Sequence, residues 1–353
     1  MEKFSAFFAD VPDPRAANVR HDLLGVMFIA VAALLCGAET CADMADFGQS
    51  KRALLEGIVE LPHGPPSHDT FSRVFRRLRP EPFEAAFARF TAAFSKPLQG
   101  VVAIDGKALR GAYQRGRKTT PLHMVNVWAA EARMAIAQRL APGRNEVAGV
   151  LEALSLLALD GCIVTADALH CRADVAQGIL DQGGDYVLAL KDNHPGLLRQ
   201  AKAALDAAPQ AAVAATPRLA HDRAETRQAL VVALDLPLPG AVAAARITSQ
   251  RHVEGPVEKR HFILSQMLSS TRLLEVVRDH WGIENQLHWV LDVVFNEDAS
   301  RSRKDHGPRN LALLRKLALN ILRAHPEKAS LRRKIKRAGW EDSFLQSLLA
   351  HMR

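Results

Sequence analysis

The sequence predicts an α/β protein: a sheet domain of order βββαβαβ followed by a helix, preceded by a helical region and interrupted by a β-rich insertion. Three observations predict it. From residue 96 onward, short apolar runs alternate with helical patterns, as strands joined through helices do. Before residue 95 the apolar positions recur at helical spacing. Between about 207 and 265 a second group of strand-like runs precedes a late helix.

The totals set the class. With 353 residues, 48% hydrophobic and 24% charged, the chain suits one large or two modest globular domains and excludes a disordered or fibrous protein. Cys36, Cys41, Cys162 and Cys171 form no CxxC pair and no Cys/His array, which speaks against a disulfide framework or a structural zinc site. The apolar run from Leu23 to Ala38 has 16 residues, short of the roughly 18 to 20 needed to span a bilayer, so we read a buried helix. Acidic Glu2, Asp10 and Asp13 precede it, which is unlike a signal peptide, and the expected location is the cytoplasm, in association with the nucleoid. The net charge of +8 is local: Ala299 to Gly339 holds 13 Lys/Arg against two acids, while the rest is slightly acidic. A concentrated positive segment suits a polyphosphate partner, although a solvated helix face has the same composition.

Taken in order, residues 1–95 form a helical domain with possible DNA contacts, where Ser67 caps a helix carrying Arg73, Arg76, Arg77 and Arg79. Val101 to Ile104 reads as a first strand ending in Asp105-Gly106-Lys107, and His123 to Ala130 with Met134 to Leu140 as a hairpin. Asn145 caps a helix over Glu146 to Leu157, and Cys162 to Ala166 is a buried strand ended by Asp167. Asp174 to Asp181 is a helix, Tyr186 to Leu190 a strand, and Pro195 opens another helix. Residues 96–325 make the sheet domain, with an inserted β-rich subdomain at about 207–265, and 326–353 a basic helical tail whose end, Glu341 to Met352, reads as one more packed helix. Arg278 to Asp292 reads as one helix with His280, Glu284 and His288 on one face and Ile283, Leu287 and Leu291 on another. Near Pro308 an amphipathic helix begins, with Leu311, Leu314, Leu317, Ala318, Ile321 and Leu322 inward and Arg315, Lys316 and Arg323 outward.

Strands entered through helices lie parallel, so the first and fourth become neighbours and place Asp105 and Asp167 at the same end. Glu284 on a late helix can cover that edge. Three carboxylates favour Mg²⁺, with Mn²⁺ as substitute, and two such ions about 4 Å apart serve in-line phosphodiester displacement. Each residue has a plainer use: Asp105 before Gly-Lys suits a turn, and Asp167 suits a helix cap. His280 and His288 resemble a zinc face, but the H-E-x-x-H spacing is absent. Trp281 and Trp289 read as packing residues, and Lys107 and Arg110 as phosphate contacts.

The segments Ala103-Ile104-Asp105-Gly106-Lys107-Ala108-Leu109-Arg110-Gly111, Thr165-Ala166-Asp167-Ala168-Leu169-His170-Cys171, and Arg278 to Asp298 resemble the H-repeat-associated (ISAs group) DDE transposases of bacterial insertion sequences. Asp13-Pro14-Arg15, Arg20-His21 and His68 to Val74 are similar to that family's amino-terminal associated domain, so the resemblance spans nearly the whole chain. It implies a ribonuclease H-like catalytic fold in which Asp105, Asp167 and Glu284 form the DDE triad and hold two Mg²⁺. It also implies a partner, double-stranded DNA of the element ends and the target, bound by a homodimer. The activity implied is strand cleavage and strand transfer. The rivals are a nuclease that does not join and a catalytically silent DNA-binding relic.

The departures matter as well. The broader superfamily places Tyr, Arg and Lys around the glutamate, where this chain has Val277, His280 and Leu291. DNA contacts then fall to Arg278, His280, Asn285 and Arg301, with Lys191, Arg303 and the run Arg332, Arg333 and Lys334 beside them. Where the family shows His-Gly-Arg-x-Glu-x-Arg, this chain has His221-Asp222-Arg223-Ala224-Glu225-Thr226-Arg227, and Arg172 and His194 replace the usual glutamines.

Overall fold

A computed structural model describes residues 2–15, 19–94, 97–113, 121–208, 214–220, 223–251 and 256–352. The chain opens with six helices, α1 (Glu2–Phe8), α2 (Leu23–Leu35), α3 (Cys41–Ser50), α4 (Arg52–Glu56), α5 (His68–Arg77) and α6 (Pro80–Phe94). Asp22 starts α2 by accepting from the Gly25 amide at 2.9 Å. All of α2 except Leu24 is buried, because an all-apolar helix needs neighbours on every side. Among the described residues no helix is long and apolar enough to cross a membrane.

The sheet follows as β1 (Gly100–Tyr113), β2 (Pro121–Ala129), β3 (Met134–Leu140), α7 (Glu146–Leu154), β4 (Cys162–Ala166), α8 (Ala173–Asp181), β5 (Asp185–Leu190) and α9 (Pro195–Ala207). Next come β6 (Ala214–Ala220), β7 (Arg223–Ala233), β8 (Ala243–Arg251) and β9 (Val257–Leu264), giving one nine-stranded sheet ordered β3-β2-β1-β4-β5-β9-β8-β7-β6. The expected parallel neighbours are there: β1 pairs with β4 up to Ile104 opposite Ala166, and β4 with β5. The strands of the insertion extend the same sheet, since β9 joins β5 antiparallel, Val187 opposite Leu264. That pairing satisfies backbone groups that an open β5 edge would leave bare.

Side-chain alternation splits the sheet's two faces. Val102 and Ile104 pack toward α7 and α8, while Val101 and Ala103 point to the opposite layer. That layer holds the amino-terminal helices together with α10 (Ser270–His280), α11 (Trp289–Val294), α12 (Gly307–Ala324), α13 (Leu331–Trp340) and α14 (Asp342–Leu349). One expectation fails here. Arg315 and Lys316 are 2% and 1% exposed, because α12 is wedged between α2, α5, α6 and β3 and has no wet face. The end of the chain packs, as Ile335, Phe344, Leu345, Leu348 and Met352 share the core with Phe4, Phe28 and Leu314.

Candidate active site

Alternation along β1 decides what meets at its middle. Asp105 has the parity of Val101 and Ala103, so its carboxyl faces the late helices, and Gly106 faces α7. The pairing of β1 with β4 stops at Ile104, which makes Asp105 and Asp167 the next neighbours in register. β1 itself does not end there, as expected from Asp-Gly-Lys; it continues past Asp105, opposite Asn126, to Tyr113.

Glu284 is not on one continuous helix. After α10, residues Ile283–His288 form a π-helical turn, closed by the Trp289 amide donating to the Glu284 carbonyl five residues back. Ile283, Leu287 and Leu291 are buried as the periodicity requires, and His288 is turned inward beside Glu284. His280 leaves the face it was expected to share: its Nδ1 lies 2.9 Å from Thr165 Oγ1 on β4.

Asp105, Glu284 and His288 bring three ligand atoms within 4.8 Å of one another. His288 Nδ1 stands 3.6 Å from Asp105 Oδ2 and 3.5 Å from Glu284 Oε2, and its Nε2 lies 3.1 Å from Asn126 Nδ2. Burial raises the Asp105 carboxyl well above the usual range, and the hydrogen bond and charge of Glu284 raise it further. Glu284 is held below its ordinary value, first by the hydrogen bond from His288 and then by Asp105 and the Lys107 charge. The two carboxyls are thus shifted in opposite directions, Asp105 toward holding its proton and Glu284 toward losing it. Asp167 stands outside this trio, half-exposed, accepting from the Leu169 amide at 3.0 Å. It thus caps a short turn, while its charge still raises Asp105.

The residues missed by sequence reasoning lie on the other side of Asp167. Glu146 Oε1 is 2.7 Å from His123 Nε2, and its Oε2 is 3.5 Å from His170 Nε2, which is itself 3.7 Å from Asp167 Oδ1. A Cβ at position 106 would lie 2.6 Å from Glu146 Oε2, so glycine lets that carboxylate come this close and a larger residue would push it aside. His170, three residues past Asp167 in the matched motif, was the available signal.

The expected DNA contacts divide. Lys107 is buried with its Nζ 2.7 Å from both Asp292 oxygens, so it is an internal ion pair and not a surface contact. Lys334 is also turned inward, donating to the carbonyls of Leu322 at 2.7 Å and His325 at 2.9 Å, where it caps the end of α12. Arg110, Lys191, Arg278, Asn285, Arg301 and Arg333 are exposed, and so are Arg303, which donates to the Gly111 carbonyl, and Arg332, which donates to Val293. Arg278 and Asn285 line a groove of about 540 Å³, and Lys191 and His280 line a second, of about 400 Å³, that reaches Asp167. Trp281 borders both with Arg260 over its ring at 5.2 Å, and Trp289 is 58% exposed, so neither tryptophan is the packing residue expected. His221 and Asp222 lie outside the described residues.

Comparison with known proteins places the chain in a family. The family described as "Transposase DDE domain" matches residues 96–321, and that described as "DDE_Tnp_1-associated" matches residues 5–91. "Putative protein YbfL" of Escherichia coli (strain K12) is 32% identical over 99% of this chain and 98% of its own length. "H repeat-associated putative transposase YhhI" of the same strain is 31% identical over the same shares. The cryo-EM structure of the piggyBac transposase synaptic complex with hairpin DNA aligns at 13% identity and a TM-score of 0.48, covering 99% of this chain and 78% of that one, a likeness too loose to carry an argument. From its two matched segments and these full-length relatives, the chain belongs to the H-repeat-associated DDE transposase family of bacterial insertion sequences.

Proposed function

We propose that the protein is an active DNA transposase that binds the terminal inverted repeats of its element and cleaves and joins strands through Asp105, Asp167 and Glu284. The observation that carries this is the convergence of Asp105 and Glu284, two acids whose ligand atoms lie with that of His288 within 4.8 Å of one another. Such a donor set fits Mg²⁺ or Mn²⁺, since a cation takes the place of the proton and removes the repulsion. Bound there, the ions would supply the charge that activates a water or a 3′-hydroxyl and stabilises the leaving oxygen. His288 fixes the two carboxyls by its Nδ1, and Asn126 fixes His288. The grooves on either side of Trp281 offer Arg278, Asn285 and Lys191 to a strand approaching Asp167. The order β3-β2-β1-β4-β5 supports assigning the catalytic half to the ribonuclease H-like fold. We further assign action as a homodimer, on DNA in the nucleoid.

The test is incubation of the full chain with labelled DNA spanning an element end and Mg²⁺, reading cut and joined products. Joined product is the expected result. Cutting alone makes it a nuclease, and binding without cutting makes it a silent relic.

A further inference from the structure

We propose that a pocket along one face of α5 binds the phosphodiester backbone of the DNA; this rests on the transposase reading and adds a site to it. The pocket encloses about 490 Å³, and Arg15, Arg20, His21, Arg73 and Arg77 converge on it. Like charges gathered in one concavity repel unless an anion joins them. Protein acids do little to offset them. Asp13 takes Arg15 at 2.6 Å, but among the described residues Arg20, Arg73 and Arg77 form no ion pair, whereas Arg76 on the same helix is paired to Asp305 at 2.7 Å.

Two further observations point to an acceptor that is not protein. Ser67, the cap residue of the ten-residue α5, gives no side-chain oxygen to the helix amides, its Oγ lying instead 3.2 Å from Thr70 Oγ1, and both residues line the pocket. His21 Nδ1 is buried and has no hydrogen-bond partner. Phosphate oxygens answer both lacks, since they accept from amides, guanidinium groups and a ring N–H alike.

The route to the catalytic edge identifies the phosphate's source. The amide of His306 donates to the Arg76 carbonyl, and Arg303 Nε donates to the Gly111 carbonyl, so segment 301–306 joins α5 to the far end of β1. Gly111 allows that contact, because a Cβ there would lie 2.2 Å from the Ser300 carbonyl oxygen. From Asp105 to Gly111 the strand covers about 20 Å, which is roughly six base pairs of duplex at 3.4 Å each. Exposed Arg301, Arg303 and Lys304 line the way, and a free phosphate has no use for such a path.

The test is the salt dependence of duplex binding by the full chain, read by fluorescence anisotropy with a 5′-labelled duplex, for wild type and for R73Q/R77Q. Both side chains are exposed, so the melting temperature should hold. Loss of two phosphate contacts should make the slope of log K against log salt shallower by about 1.8. An unchanged slope in the variant, with wild-type binding intact, overturns the pocket and leaves the transposase reading standing. No duplex binding by wild type sinks both. A calorimetric titration with inorganic phosphate is the second arm: binding of phosphate that R73Q/R77Q abolishes, alongside an unchanged duplex slope, assigns the pocket to the free ion and overturns the DNA assignment.

Discussion

Two clusters of buried or half-buried acid lie on the same helical side of the sheet, one against β1 and one against β3, and they are built on opposite plans. Glu84 of α6, 1% exposed, accepts from Arg309 Nε and Nη2 at 2.7 Å each, from Arg139, and from Gln138 at 3.1 Å. Every lone pair is answered by a cation or an amide from another element. Asp105 and Glu284 instead face each other, and the nearest ammonium, Lys107, is turned to Asp292. A carboxylate that holds a fold together arrives with its counter-charge, and one left facing its own sign is kept for something that comes from outside.

The largest effect that tests this contrast is on chemistry. D105N should lower cleavage at least about a thousandfold, some 4 kcal/mol of barrier, with little change in the melting temperature of the metal-free protein. The wild type should gain about 2.7 kcal/mol of stability at Mg²⁺ a hundredfold above its dissociation constant, and D105N should show no such gain by calorimetry. A magnesium-stabilised D105N would break the comparison at its functional end. Next, E84A should destabilise by about 3–5 kcal/mol, since Arg309 and Arg139 would be left buried without an anion. Urea denaturation reads this, and a loss under about 1 kcal/mol would mean that the cluster is structurally idle.

The smallest effect is K316M. Lys316 donates to Gln138 at 2.7 Å in full burial, and burial lowers its pKa to about 8. The unfolded lysine titrates near 10.4, so between about pH 8 and 10.4 the unfolded state binds the extra proton and wild-type stability rises with pH. At pH 7 the variant should lie within about 1 kcal/mol of wild type, and the difference should move in favour of wild type as the pH passes from 8 to 10.4. A difference independent of pH would show that Lys316 is not desolvated.

The strands were readable because Val101 to Ile104, Cys162 to Ala166 and Tyr186 to Leu190 are short, apolar and β-branched, and the right neighbours follow from parallel entry. The place of Asp105 followed from them. α12 was misread because a single chain's periodicity records polarity and not what lies opposite: Arg315 and Lys316 look wet until Gln138, Glu39 and Glu297 are seen around them. The same blindness hid Lys107 and Lys334. The π turn left no mark in the spacing, since Ile283, Leu287 and Leu291 fit an ordinary helix equally well. Glu146 was missed because it and its partners, His123 and His170, come from three separate stretches of chain.

The shared core also governs when the protein becomes competent. Phe4, Phe28 and Phe90 bury themselves against Leu314, Leu345 and Met352, so the first ribosome-emergent helices wait for the last. Asp105 and Glu284 are 179 residues apart, and the turn that carries Glu284 rests on α12 through Arg323, which donates to the Gln286 carbonyl. Such non-local closure is slow and comes late in synthesis. A nascent chain would leave Asp105 and Asp167 without Glu284 held beside them until α12 had packed beneath the turn that carries it.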